Sequence, residues 1–169
     1  LCIPEINADS LKGHQNFIAN PNCSTAIALM PLFALHREAK IKRIVCCTYQ
    51  AVSGTGAAAI RELENQVRAW AEGKPLVHEV YPAQIAFNVI AQIGSEAKDL
   101  PGYTSEEAKL PRETRKILGD DSIQAVSTCV RVPVVNGHSE AIHVEFHNPI
   151  TPERAREILS QTPGVQVVE

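Results

Sequence analysis

The cysteine at position 23 stands at a junction where a thiol can do chemistry. It follows Asn20-Pro21-Asn22, and the apolar stretch that begins at Ser24 has helical periodicity as far as Leu35. Backbone N–H groups in the first turn of a helix have no intrahelical partner and favour an anion, so a thiol placed there gains thiolate character. The alternative is that Cys23 is a small buried hydrophobe. The sequence therefore makes Cys23 a candidate nucleophile.

A nucleophilic thiol needs a base, and the chain has six histidines. His138 differs from the others because it follows the Asn136-Gly137 turn, where a side chain can project into a cleft from two strands. His143 and His147 alternate with Glu145 on one strand face, and we expect a solvated face there rather than a metal site. The remaining histidines are expected at the surface: His14, His36 and His78. His138 is thus the candidate base.

Three charged residues are candidates for binding an anionic or zwitterionic ligand. Arg131 interrupts an apolar stretch over 126–135, where an unpaired guanidinium would be unfavourable. We therefore expect an anionic partner for Arg131, either a protein carboxylate or a substrate. Glu113 and Lys116 lie three positions apart and share a helix face, so a solvated ion pair is the alternative to a binding role.

The loop Ser53-Gly54-Thr55-Gly56 matches part of the dinucleotide-binding fingerprint. However, residues 49–53 separate it from the preceding strand, and no second strand ends in an acidic residue at the required distance. We therefore expect a glycine loop that lets a ligand approach the backbone, and not a Rossmann site.

The elements that must position these residues alternate between strands and helices. Strands are predicted at 17–19, 43–48, 123–135, 141–146 and 165–168, and helices at 24–35, 57–72, 104–118 and from 151 onward. Residues 85–93 are apolar and fit either a strand or a buried irregular segment. Pro31 and Pro111 are expected to kink or break their helices, and Asn136-Gly137 predicts a hairpin between two strands. The pattern indicates an α+β fold with a mixed, largely antiparallel sheet covered by helices.

Composition limits the class of protein. The 169 residues are 44% hydrophobic, enough for one core, and we expect a single domain over 1–169. A net charge of −3 argues against nucleic acid as a partner, and no stretch has the length and apolar character of a membrane span. The five cysteines contain no C-x-x-C pair, which suits a reducing cytoplasm and argues against a structural metal site. Because the chain begins at Leu1 without methionine, we expect it to be part of a longer protein.

Four stretches, taken in order along the chain, resemble motifs of the aspartate-β-semialdehyde dehydrogenase family. The first is similar to the nucleophile motif, the second to the glutamine and glycine loop, the third to the substrate and phosphate helix, and the fourth to the arginine and histidine strand. The stretches read ANPNCSTA, TYQAVSGTG, ETRKIL and RVPVVNGHSEA. The resemblance covers nearly the whole chain and identifies it as similar to the catalytic and dimerisation domain of this family.

The resemblance assigns roles to the candidate residues. It implies that Cys23 is the nucleophile, that His138 is the acid/base residue and that Gln50 positions the acyl group. Substrate binding is assigned to Arg131 for the α-carboxylate, Glu113 for the α-amino group, Lys116 for the phosphate, and Asn22. The implied contacts to the nicotinamide end of NADP are Ser53, Gly54 and Gly56.

The reaction implied by the resemblance is the NADPH-dependent reductive dephosphorylation of β-aspartyl phosphate to aspartate semialdehyde, through a cysteine thioester. It belongs to the biosynthesis of lysine, methionine and threonine. The resemblance also implies a homodimer, or a tetramer built from it, and a fold similar to the C-terminal domain of glyceraldehyde-3-phosphate dehydrogenase-like enzymes. The family's N-terminal Rossmann domain and C-terminal helix have no counterpart in the sequence, so we expect the chain to be inactive alone and its NADP site to be incomplete.

Two other functions fit parts of the sequence. One is an acyl-phosphate reductase of the N-acetyl-γ-glutamyl-phosphate type, which uses the same thioester chemistry. Because an N-acetylated substrate needs no acidic partner for its nitrogen, Glu113 discriminates between the two. The other is a dimerisation module without catalytic activity.

Overall fold

The computed structural model describes residues 1–168 and forms a mixed α/β arrangement. The helices are α1 (Pro4–Asn7), α2 (Cys23–Ala39), α3 (Ala57–Ala71), α4 (Lys109–Leu118) and α5 (Pro152–Ser160). The strands are β1 (Ile41–Gln50), β2 (Gln124–Arg131) and β3 (Ser139–Phe146), and single turns of 3-10 helix occupy Ala8–Leu11 and Val52–Thr55. These elements confirm the predicted α+β class.

The three strands form one sheet in the order β2-β1-β3. Backbone bonds beyond the strand ends run from Val132 N to Gln50 O and from Val52 N to Val134 O, which indicates that β2 runs parallel to β1. At the other end of β1, the bonds from His147 N to Lys40 O and from Asn148 N to Ala39 O indicate that β3 is antiparallel. The sheet is therefore mixed, as predicted, but it is not largely antiparallel, because β2 pairs with β1 in parallel and only β3 pairs with it in the antiparallel sense.

The predicted hairpin at Asn136-Gly137 is wrong. Because β1 lies between β2 and β3, the two strands joined by this turn are not neighbours. The backbone of the connection bonds instead to the turn that follows β1: Val52 N donates to Val134 O at 2.9 Å and Ser53 N to Val135 O at 3.1 Å. The Asn-Gly turn thus belongs to a longer connection that returns the chain to the opposite edge of the sheet.

The chain divides into two compact units. The first comprises residues 1–46, 108–127 and those from 142 to the end of the described residues. Its larger core is formed by α2, β1, the start of α4 and the residue before β2. The buried side chains there include Leu32, Leu35, Ile44, Leu110 and Ile123. The sequence forms α2 because the side chain of Asn22 caps its first turn, and the helix continues through Pro31 to Ala39.

The second unit comprises residues 47–107 and 128–141. Its core packs Ala59 and Leu63 of α3 against Val52, Ile85 and Ile90. Residues 85–93, ambiguous in the sequence, form no named strand; they are an irregular segment with one isolated antiparallel bridge from Ile90 to Arg131.

Two predicted strands, at 17–19 and 165–168, are wrong. Phe17 is 94% exposed and lies in an irregular stretch, and Val165 N donates to Thr162 O in the turn after α5. Both stretches have apolar residues that suit a strand, but neither pairs with a strand within residues 1–168, so local composition does not decide their conformation.

The helix predicted over 104–118 begins later, at Lys109. The capping box forms, since Thr104 N donates to Glu107 Oε2 at 2.8 Å and Glu107 N to Thr104 Oγ1 at 3.2 Å, but it closes a turn rather than a helix. Pro111 then falls in the first turn of α4, where its missing N–H breaks no helical bond. The expected break at Pro111 is therefore wrong, and Glu113 and Lys116 lie on one continuous helix.

Among residues 1–168, no helix combines the length and the apolar composition that crossing a membrane requires.

Candidate active site

Cys23 is the first residue of α2, one position before the predicted helix start at Ser24. The preceding Asn22 is the N-cap, and its Oδ1 accepts hydrogen bonds from Ser24 N at 3.1 Å and Thr25 N at 3.3 Å. The Cys23 side chain is exposed, and Asn22 Nδ2 donates to its Sγ at 3.9 Å. The thiol is therefore accessible to a ligand at the start of a 17-residue helix.

Glu113 holds the segment that precedes Cys23. Its Oε2 accepts a hydrogen bond from Asn22 N at 2.7 Å, so α4 is tied directly to the N-terminus of α2. Glu113 is half-buried and Lys116, one turn further along α4, is exposed. The first unit therefore brings together Cys23, Asn22 and Glu113, with Lys116 on the same helix as Glu113.

Arg131 is buried at the end of β2, with 7% of its surface exposed. Its Nη1 donates to Ala51 O at 2.7 Å, and its guanidinium carbon lies 6.0 Å from the centre of the Tyr81 ring. Its Nε has no hydrogen-bond partner within residues 1–168, and no carboxylate of that part of the chain forms an ion pair with it. Of the two anionic partners that the sequence allows, the protein carboxylate is thus not found there.

A cavity of about 490 Å³ opens beside Arg131 within the second unit. Its walls include Thr55, Tyr81, Ile90 and Gly94. A buried guanidinium in a cavity wall can bind an anion, because a bound carboxylate would supply the charge and the hydrogen bonds that residues 1–168 do not.

His138 and Arg131 both form hydrogen bonds with the backbone of Ala51. The Ala51 N–H donates to His138 Nδ1 at 2.9 Å, while the Ala51 carbonyl accepts from Arg131. Burial lowers the pKa of His138 below its ordinary value of 6.5, Arg131 lowers it further, and the Glu106 carboxylate opposes both. A neutral ring whose Nδ1 accepts a hydrogen bond carries its proton on Nε2, so His138 offers an Nε2–H donor.

The glycine loop packs against the same two side chains. A Cβ added at Gly54 would lie 3.2 Å from both Arg131 Nη1 and His138 Cε1, closer than side chains ordinarily approach. Gly56 has a φ of +99°, is the N-cap of α3, and has open space where a Cβ would be. Ser53 is fixed by its backbone bond to Val135.

Gln50 ends β1 and is fully buried, with 1% exposure. Its Nε2 donates to Glu106 Oε1 at 2.9 Å. Sequence reasoning missed Glu106; the adjacent carboxylates in Thr104-Ser105-Glu106-Glu107 signalled a helix start, and only Glu107 serves in a capping box. The second unit thus brings together Gln50, Arg131, His138 and the loop over 53–56.

One histidine expected at the surface is buried. His36 is 7% exposed, and its Nδ1 accepts from Ile41 N at 3.1 Å, across the junction of α2 and β1. Burial lowers its pKa, as does the charge of Lys40, while Asp120 opposes them.

On β3, Glu145 lies 3.6 Å from Arg43 and 3.8 Å from Lys42.

Comparison with known proteins finds a matching family and similar chains. The family model described as semialdehyde dehydrogenase, dimerisation domain, matches residues 32–169. An aspartate-semialdehyde dehydrogenase of Aquifex aeolicus is 48% identical over 172 residues, covering 100% of this chain and 50% of that protein. The chain thus spans about half the length of the curated relatives it matches.

Solved structures of aspartate semialdehyde dehydrogenases also superpose on this chain. Aspartate semialdehyde dehydrogenase II of Vibrio cholerae, described as complexed with ASA, superposes with a TM-score of 0.92 at 44% identity, over 96% of this chain and 48% of that one. The Candida albicans enzyme, described with NADP, superposes with a TM-score of 0.59 at 25% identity, over 94% of this chain and 40% of that one. The fold expected from the resemblance is confirmed, and the chain belongs to the semialdehyde dehydrogenase dimerisation domain family.

Proposed function

We propose that this chain carries the acyl-transfer chemistry of an aspartate-semialdehyde dehydrogenase, with β-aspartyl phosphate as substrate. The observation that carries the proposal is Arg131: a buried guanidinium, with no carboxylate partner within the described residues, in the wall of a cavity. A substrate with its own carboxylate is the ligand that this environment favours.

Cys23 performs the first step. Its thiolate attacks the β-acyl carbon, the bond from that carbon to the phosphate oxygen breaks, and inorganic phosphate leaves as the thioester forms. A thiolate suits this reaction because it is a strong nucleophile and later a good leaving group. Lys116, exposed on α4, is proposed to bind the phosphate, and Glu113 the α-amino group, while Asn22 orients the nucleophile segment through its contacts with both neighbours.

His138 is proposed to act from its neutral form. The hydrogen bond from Ala51 N to Nδ1 favours the tautomer with the proton on Nε2, so the ring donates from Nε2 to the acyl oxygen as negative charge develops there. This specifies the acid/base role that the family resemblance implies. Gln50 is proposed to orient the acyl group.

The glycine loop fits NADP as cofactor. The helix N-terminus at Gly56 has no side-chain cap, and the open, positive-φ glycine lets a ligand approach the backbone. Ser53, Gly54 and Gly56 would hold the nicotinamide end. When bound, the reduced cofactor supplies the hydride that converts the thioester to the aldehyde oxidation level, and the chain's own part is to keep the acyl group on Cys23.

The remaining parts of the proposal concern the whole protein. The relatives extend over about twice this length, and we propose that residues 1–169 alone form the thioester but do not complete the hydride transfer. We further propose a homodimer, which the dimerisation family supports, in the cytoplasm, where five cysteines without a disulfide would stay reduced.

The test is the rate of thioester formation as a function of β-aspartyl phosphate concentration, followed by the mass of the intact protein. Arg131→Lys keeps a positive charge but loses the forked geometry, and we expect the half-saturating concentration to rise about 10- to 100-fold. Arg61→Lys, at an exposed arginine of the same unit, is the matched control and should leave the curve unchanged. An unchanged curve for Arg131→Lys would contradict the proposal.

The same assay separates the two acyl-phosphate reductases. If Glu113 binds a free α-amino group, an N-acetylated β-aspartyl phosphate should acylate the protein much more slowly than the free amine does. Equal rates for the two compounds would favour the N-acetyl-γ-glutamyl-phosphate type.

A further inference from the structure

The carboxylate of Glu106 decides which way the amide of Gln50 faces. Gln50 has a nitrogen that donates and an oxygen that accepts, and the two ends of the amide are nearly equal in shape. An ionised carboxylate only accepts hydrogen bonds, so the nitrogen must face Glu106, as the 2.9 Å bond from Gln50 Nε2 to Glu106 Oε1 shows. The amide oxygen of Gln50 consequently points away from Glu106.

Glu106 is itself held in place by the turn that contains it. The capping-box bonds between Thr104 and Glu107 close the turn, and Glu107 Oε1 accepts from Cys129 N on β2 at 3.2 Å. Glu106 is half-buried between these anchors. A carboxylate on a fixed turn can hold a neighbouring side chain in one orientation, because little of its own freedom remains to be lost.

The Glu106 carboxylate also affects the pKa of His138. The Arg131 guanidinium lowers the pKa of His138 and the Glu106 carboxylate raises it, and Ala51 N–H bonds to the ring. Loss of the Glu106 charge would leave Arg131 unopposed at His138. This effect depends on charge alone, whereas the effect on Gln50 depends on a hydrogen-bond acceptor.

We propose that Glu106 is a positioning residue, which fixes the orientation of the Gln50 side chain for acyl transfer to Cys23. The inference rests on the proposed function, in which Gln50 orients the acyl group. Nothing in the sequence motifs of the family resemblance assigns this role to Glu106.

The experiment compares Glu106→Ala, Glu106→Gln, Gln50→Ala and the double variant Glu106→Ala/Gln50→Ala at about pH 7.5, where His138 is neutral in every variant because its pKa lies below 6.5 and falls further without the Glu106 charge. Loss of one hydrogen bond to a charged acceptor predicts that Glu106→Ala lowers the maximal rate of thioester formation about 3- to 30-fold, with a half-saturating concentration within about twofold. Glu106→Gln keeps an acceptor and should retain most of the rate. In the Gln50→Ala background, Glu106→Ala should have no further effect. Independent losses that multiply in the double variant would overturn the proposal.

Nuclear magnetic resonance supplies a readout that does not need turnover. The side-chain amide signals of Gln50 should move in Glu106→Ala and move less in Glu106→Gln, while the pKa of His138 should fall in both, because both lose the charge. Glu72→Gln, which removes an exposed carboxylate of the same unit, is the control and should change neither signal. If the wild-type chain forms no thioester, the proposed function fails; the Gln50 signals then decide the positioning inference, and signals that stay in place in Glu106→Ala overturn it.

Discussion

Cys23 has the most solvent-exposed thiol of the five cysteines. It is exposed at the start of α2, while Cys47 is half-buried and the other three cysteines are 0–7% exposed. We expect limiting iodoacetamide near neutral pH to label Cys23 before the others, with peptide mapping as the measurement. Preferential labelling of Cys47 would contradict the assignment of the nucleophile.

The titration of His138 tests the electrostatics of the second unit. Its pKa should lie below 6.5, because burial and the Arg131 guanidinium disfavour the charged ring more than Glu106 favours it. Arg131→Gln should therefore raise the pKa of His138, and Arg61→Gln should leave it unchanged. The measurement is the ring chemical shift against pH, and a pKa at or above 6.5 in the wild-type chain would disagree with the structure.

At the residue scale, the sequence predicts which side chains carry chemistry better than it predicts what surrounds them. Cys23 and Arg131 stand out because each is unusual in its local stretch. Glu106 does not, because its partner Gln50 is 56 positions away and no local pattern links them. His36 was expected at the surface for the same reason: its partner is the backbone of a strand that follows the helix.

At the scale of elements, the junction of α2 and β1 depends on a neutral His36. Its lowered native pKa means that the unfolded chain binds more protons below pH 6.5. The stability from this residue is therefore complete above pH 6.5 and is lost as the pH falls from 6.5 towards the lower native pKa. We expect the free energy of unfolding in urea to fall between pH 7.5 and 5.5 by less in His36→Asn than in the wild type.

A matched variant makes that comparison specific. His143→Gln removes an exposed histidine from β3, in the same unit, and should keep the wild-type dependence on pH. Equal pH dependence in His36→Asn and the wild type would show that His36 does not hold the junction.

Thr151 caps α5. Its Oγ1 accepts from Arg154 N at 3.2 Å, and Pro152 follows at the first helical position. Thr151→Ala should lower the free energy of unfolding by about 1 kcal/mol, measured by urea denaturation, while Thr151→Ser should retain most of it. A loss of equal size in both variants would assign the effect to something other than the cap.

The sequence predicts a helix closely where an amphipathic pattern and a terminator agree. Residues 57–72 were predicted as helical and α3 spans Ala57–Ala71, ending before Gly73. The strands at 17–19 and 165–168 failed because a strand needs a neighbour, and the sequence of one segment does not say whether a neighbour exists. The start of α4 failed because a capping box can also close a turn.

At the scale of the whole molecule, the class of fold follows from the sequence and the strand order does not. The Asn136-Gly137 signal is local, whereas the insertion of β1 between β2 and β3 depends on pairing between segments far apart in the sequence, as in the backbone bonds from Val132 N to Gln50 O and from His147 N to Lys40 O. The same holds for the candidate site. The sequence indicates its residues by their type, but they contact residues that are distant along the chain.

Self-association is the prediction that belongs to this scale. Membership of a dimerisation domain family leads us to expect a particle of twice the 18.4 kDa of one chain. Light scattering at tens of micromolar chain is the measurement. A mass of one chain throughout that range would argue that these residues do not associate by themselves.

If Cys23 accepts the aspartyl group from β-aspartyl phosphate, the protein must carry a covalent adduct on that thiol. The chain and its Cys23→Ala variant are each mixed with β-aspartyl phosphate, quenched in acid and mapped by peptide mass spectrometry. We expect a thioester-linked aspartyl group on the peptide that contains Cys23, released by hydroxylamine, and none in the variant. An adduct on another cysteine, or the same adduct in Cys23→Ala, would contradict the account.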